Sequence, residues 1–235
     1  MSKIKNHFRE ESMNFFAILA LALLTATSAF GASAKFTANV GTVAVVHSAL
    51  ASNDADGWST VLQGEIHTAT PKDLLIGVSL ETTLLTDTAV KSSGGVKDTS
   101  TAESGIEVKV LVDGTEAAPG VVVFDRRKQQ LSATLGGYYS ACLDQNGDGI
   151  TDLLTECTLI PEEIQLLLDT TAAHHFNFIK ADLGQGVHTV VVKAKISNSA
   201  QFSNGTASAS ALLGKGSLSV EEVQAINAAE GIVMQ

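Results

Sequence analysis

A run of oxygen-bearing residues lies between Cys142 and Cys157. Asp144, Asn146 and Asp148 alternate, Gly149 follows at once, Asp152 comes next, and Glu156 closes the run. A hard cation such as Ca2+ takes six to eight oxygens, and a loop coiling around it turns every second residue inward. A glycine after Asp148 permits the sharp turn that leaves the carbonyl of Ile150 facing the ion. Asp144, Asn146, Asp148, Ile150, Asp152 and Glu156 are therefore the expected Ca2+ ligands. The alternative is a hairpin turn at Asn146-Gly147 or Asp148-Gly149, which needs no ion.

These residues resemble the calcium loops of EF-hands, dockerins and thrombospondin type 3 repeats. Asp144, Asn146, Asp148, Gly149, Ile150 and Asp152 match positions one, three, five, six, seven and nine of the EF-hand pattern. Thr155 stands at the twelfth position, where an EF-hand carries a bidentate glutamate, and Glu156 falls one residue late. Flanking helices are not evident, so the resemblance covers the loop alone. It implies Ca2+ as cofactor. The chain as a whole resembles exported β-sandwich proteins of uncharacterised role, a likeness that implies a fold and no activity.

The compartment follows from the N-terminus. Phe15 to Leu24 is an unbroken apolar run, too short to span a bilayer and suited to the core of an export signal. Lys3, Lys5 and Arg9 precede it, and Ala32-Ser33-Ala34 offers a small-x-small cleavage site. Residues 1–34 are expected to be a signal peptide and 35–235 one secreted domain, extracellular or on the cell surface, with no transmembrane segment after cleavage. In an oxidising compartment Cys142 and Cys157 are expected to pair. A net charge of −10 argues against nucleic acid as a partner.

The elements that position the loop read as strands. Thr42–His47, Ser59–Thr68, Leu74–Thr86, Ile106–Val112, Val121–Phe124 and Gln130–Leu135 are rich in β-branched residues or alternate apolar with polar positions. Lys91–Ser104 is polar and reads as a surface loop, and Arg126-Arg127-Lys128 as a solvated turn. Glu163–Thr170 is read as strand rather than helix. Phe176–Ala181 and Val187–Ile196 read as a hairpin, and Thr206–Leu212 and Ser217–Val223 as two last strands. The sum is an all-β chain, a single antiparallel β-sandwich, jelly-roll or Ig-like, of about nine to eleven strands with a disulfide-bracketed calcium loop.

No nucleophile-elbow, phosphate-loop or dinucleotide motif is present, so no catalytic residue is assigned. The histidines of the expected mature chain, His47, His67, His174, His175 and His188, have no metal-ligand spacing, and strand alternation turns His174 and His175 to opposite faces. The expected role is a secreted, calcium-stabilised structural, adhesive or filament-forming subunit. Self-assembly through edge strands is expected, with Lys35–Val46 or Ser217–Val223 as donor. The rivals are an exported hydrolase, and a carbohydrate-binding module anchored on Trp58. Asn204-Gly205-Thr206 is a glycosylation sequon.

Overall fold

Alternation explains the longest strands directly. In the computed structural model Ile106, Val108, Val110 and Val112 are buried while their odd-numbered neighbours face outward, the period-two pattern of a half-buried strand. The structure describes residues 35–45 and 56–223. The chain forms two units, Met1–Lys35 and Phe36–Gln235. The expected signal peptide and His47 lie outside the described residues.

The elements are β1 (Phe36–Val45), β2 (Ser59–Thr68), β3 (Lys72–Ser92), β4 (Val96–Val112), β5 (Thr115–Glu116), β6 (Val122–Leu135), β7 (Tyr138–Ser140), α1 (Leu153–Glu156), β8 (Thr158–Ile160), β9 (Glu162–Leu183), β10 (Gly186–Phe202) and β11 (Thr206–Val223). One sheet runs β1-β11-β3-β9. The other runs β2-β10-β4, with β5 and β6 both pairing the far side of β4. Every pairing is antiparallel. Long strands alternate between the two sheets in chain order except at β4 and β6, which share one, and the last strands return beside the first. That is the jelly-roll arrangement of two interleaved Greek keys. The small β7-β8 ribbon, with α1 in its loop, is an excursion between β6 and β9.

Several expectations are corrected here. Residues 96–104 are not a surface loop but the first half of β4, with Asp98, Ser100, Ala102 and Ser104 buried. Arg126, Arg127 and Lys128 lie within β6, which is continuous from Val122 to Leu135. The segments 176–181 and 187–196 do not pair with each other, because β9 and β10 belong to different sheets. Thr206 to Val223 is one strand with a register shift between Leu213 and Gly216. Neither proposed donor strand is free. The residues of β1 pair with β11, and Ser217–Val223 sits between β1 and β3 in the middle of its sheet.

The interior has two halves of different chemistry. Leu74, Ile76, Val78 and Leu80 of β3 pack against the β4 valines, Val190 and Val192 of β10, and Leu218 and Val220 of β11. Burying each such side chain stabilises the fold by about 1.5–3 kcal/mol. Farther along the same strands the inward positions include Thr82, Thr86 and Thr88 beside Leu84 and Val90 on β3, and Asp98, Ser100 and Ser104 beside Ala102 on β4. Buried hydroxyls require partners, and they find them across the layers. Thr86 Oγ1 donates to Gln129 Oε1 at 2.7 Å, and Gln129 Nε2 donates to the Leu166 carbonyl at 2.7 Å. Ser104 Oγ finds its partner within its own sheet instead, donating to Asn198 Oδ1 at 2.6 Å. The excursion emerges from this polar end.

Candidate functional site

The neck of the excursion is closed covalently. Cys142 and Cys157 form a disulfide across a separation of 15 residues, immediately outside the β7-β8 ribbon. Cross-linking a loop of that length stabilises by about 3 kcal/mol in the chain-entropy model.

Inside the neck, side-chain oxygens receive backbone N–H groups. Asp144 accepts from Gly147 at 2.6 Å with one oxygen and from Gly149 at 2.8 Å with the other. Asn146 Oδ1 accepts from Asp148 N–H, and Asp148 Oδ1 from Ile150 N–H. Gly147 and Gly149 both adopt positive φ, 76° and 79°, where side chains are strained. Asn146 and Asp148 are brought together, with Asn146 Nδ2 donating to Asp148 Oδ2 at 3.0 Å. Asp144, Asn146 and Asp148 are all exposed.

Glu156 has a different place from the one expected of a ligand. It is 5% exposed, and its carboxylate turns into the loop. Oε1 accepts the N–H groups of Gln145 and Asn146, at 2.9 and 3.2 Å, and Oε2 accepts that of Asp152 at 2.9 Å. These bonds, that from Asp152 foremost, favour the charged form and hold its pKa below the usual carboxylate range. Glu156 is the internal anchor of the loop, joining its entry to its exit. Among the described residues no three His, Cys, Asp or Glu side chains converge as a metal-holding group.

The excursion is also unusually apolar on its surface. Leu154 is 86% exposed, and Leu143, Ile150 and Leu153 are also exposed, as are Tyr138 and Tyr139 on β7. In the first third of β9 Ile164, Leu166, Leu167 and Leu168 are exposed as well, on alternating faces of the strand. Isolated apolar side chains on a surface need no explanation, but exposed ones this numerous in two short segments suit an interaction surface.

A second polar cluster was not foreseen from the sequence. His188 is buried, with Nδ1 2.7 Å from Asp113 Oδ2 and Nε2 2.9 Å from the Gly184 carbonyl. Thr68 Oγ1 lies 3.1 Å from Nε2 and donates to the same carbonyl at 2.7 Å. Hydroxyl, imidazole and carboxylate in that order suggest nucleophilic catalysis. The details oppose it: Thr68 is 0% exposed, so no substrate reaches it, and its hydroxyl donates to the Gly184 carbonyl. The Asp113 hydrogen bond, resisted by burial, raises the His188 pKa. The cluster ties the ends of β2, β4 and β10 together.

The remaining histidines separate as alternation demands. His174 points between the sheets toward Asp125 and Phe124, and His175 points outward to Ser79 Oγ at 2.8 Å. Trp58 is 8% exposed, with the Lys109 ammonium 4.4 Å from its ring centroid. It offers no open stacking face for a sugar. Asn204 of the sequon is exposed in the β10-β11 turn.

No protein-family model matches the sequence, and no curated protein matches it. Among solved structures, a CocE/NonD family hydrolase from Staphylococcus aureus is similar at 15% identity and a TM-score of 0.19, over 80% of this chain and 33% of its own. A structure of infectious bursal disease virus, Gx strain, is similar at 12% identity and a TM-score of 0.15, over 86% of this chain and 44% of its own. The chain spans about a third of the length of that hydrolase. At these scores neither likeness carries an argument.

Proposed function

We propose that this chain is a secreted jelly-roll subunit that works by contact, as a structural, adhesive or filament-forming component outside the cell. The observation that carries the reading is the number of exposed apolar side chains on the disulfide-closed excursion, Leu153 and Leu154 among them, and on the first third of β9, Leu166 to Leu168. So many exposed apolar side chains on an acidic protein suit association. The disulfide supports an oxidising compartment, and among the described residues no helix is long and apolar enough to cross a membrane.

Ca2+ is the proposed cofactor of the loop. The exposed oxygens of Asp144, Asn146 and Asp148 would hold it, with Glu156 keeping the loop in shape rather than supplying a ligand. Weak, extracellular-type affinity follows from the small number of carboxylates, since ligand charge count tunes calcium binding. The reading predicts that residues 35–235, secreted and purified with the disulfide intact, give a light-scattering mass above that of a monomer at high concentration. Replacing Leu153 and Leu154 together by Ser should reduce it. A monomer at every concentration, with and without millimolar calcium, would sink the proposal.

A further inference from the structure

We infer that β9 is a two-fold interface: its free edge pairs antiparallel with the β9 of a second copy, joining two four-stranded sheets into one. This rests on the association proposed above and specifies its geometry. β9 is 22 residues long and lies at the margin of its sheet, paired on one side with β3. Where the other side is engaged, the direction of its backbone groups is evident. Ile179 exchanges both hydrogen bonds with Ala118 at 2.9 Å, across the side away from β3. The β3-β9 register is unbroken from Leu74↔Lys180 to Ser92↔Glu162. Antiparallel alternation therefore turns the N–H and C=O of every odd residue from Glu163 to Asn177 toward the free side. No ladder partner is present there among the described residues.

Such an edge is a template for another strand unless it is guarded. β9 has no proline within it and no interruption by a bulge over this stretch. The loop at Ala118 covers only the far end. Its apolar side chains stand on both faces: Leu166, Leu168 and Phe176 on one, Leu167 on the other, all exposed. A strand laid alongside would cover both rows.

Charge decides which strand fits. The first part of β9 is acidic, with Glu162, Glu163 and Asp169. The second part carries Lys180 and Asp182, whose charges cancel, beside His174 and His175. An antiparallel copy of the same strand sets the acidic half against a half without net charge, whereas a parallel copy would set acidic half on acidic half. The two-fold axis must stand perpendicular to the sheet, so odd residues meet odd. Centring it on Thr171 matches Gln165 with Asn177, Leu167 with His175 and Leu166 with Phe176. The paired length runs from Gln165 to Asn177, stopping where Ala118 begins. This interface is isologous and closes on itself, so any larger assembly must use a second surface, for which the apolar excursion is available.

The register makes the test specific. Residues that meet at a dyad in a hydrogen-bonded pair have Cα atoms about 5.5 Å apart, within reach of a disulfide. Thr171→Cys, in residues 35–235 with the native disulfide intact, should give a covalent dimer under mild oxidation, and Gln165→Cys should not. Leu167→Lys, an exposed position, should shift the protein to monomer in sedimentation while its thermal transition is retained. A Thr171→Cys protein that stays unlinked while light scattering reports assemblies would overturn the β9 interface and leave the association reading standing. A monomer at all concentrations would overturn both.

Discussion

His188 Nδ1 lies 2.7 Å from the carboxylate of Asp113, which also accepts the N–H of Thr189 at 2.9 Å. The pair couples stability to pH from both sides. The His188 pKa is raised above its usual 6.5, so its contribution is complete below that value and is lost as pH rises through the raised one. The Asp113 pKa is lowered, chiefly by the His188 hydrogen bond, so its contribution is complete above the usual 3.8 and is lost as pH falls through the lowered one. Thermal denaturation should therefore show a midpoint that declines above about pH 6.5. In His188→Gln that alkaline decline should flatten. An identical slope in the variant would remove His188 from the account.

Glu156→Gln tests the loop anchor. The amide keeps one acceptor oxygen and puts a donor where Oε1 or Oε2 received N–H groups. Hydrogen exchange at Gln145, Asn146 and Asp152 should accelerate together, while amides of β3 and β11 stay protected. Exchange that rises at one of the three and not the others would mean that Glu156 does not join the two ends of the loop.

Calcium should raise the melting temperature, because it binds the folded loop and not the unfolded chain. At a hundred times its dissociation constant the gain is about 2.7 kcal/mol if loop and sandwich unfold together. Asp148→Ala should abolish most of it, and Glu156→Gln should reduce it indirectly by loosening the loop. Melting curves that coincide in chelator and in calcium would remove the ion from the proposal.

Gly205→Ala should destabilise by about 1–3 kcal/mol, the usual effect of forcing extra atoms into packed structure. A Cβ at Gly205 would stand 1.8 Å from the Ala89 carbonyl oxygen, a backbone atom that cannot rotate away. The substitution keeps the Asn204-x-Thr206 sequon, so a change in glycosylation cannot account for the effect. Chemical denaturation of the unglycosylated protein gives the number, and a midpoint equal to wild type would show that the turn shifts freely.

What was legible depended on whether polarity and burial agree. Ile106 to Val112 could be read because apolar residues alternate there, and the Cys142–Cys157 bridge because the chain has two cysteines and the expected export would oxidise them. Residues 96–104 could not, because Asp98, Ser100 and Ser104 are as polar as a loop and yet buried. Asp98 is satisfied by the N–H groups of Lys91, Thr99 and Asn204 and by the Ser203 hydroxyl, the last two brought in from the distant β10-β11 turn. The split of β9 and β10 between sheets was hidden for another reason. Period two reports which face of a strand is buried and says nothing of which neighbour pairs with it. In the loop the ligand-like spacing was visible, but the inward turn of Glu156 depends on three amides that spacing does not reveal.

The division of the interior into an aliphatic half and a hydroxyl-lined half bears on how the molecule responds to temperature. Exposing apolar surface raises the heat capacity of unfolding, and exposing polar surface lowers it. Thr82, Thr86, Thr88, Ser100, Ser104 and Gln129 occupy positions that aliphatic side chains fill elsewhere in the same strands. The heat-capacity increment should accordingly fall below the ordinary range of about 12–15 cal/mol/K per residue. The stability curve is then broader, with a shallower loss on cooling and on warming, and scanning calorimetry reads that breadth directly.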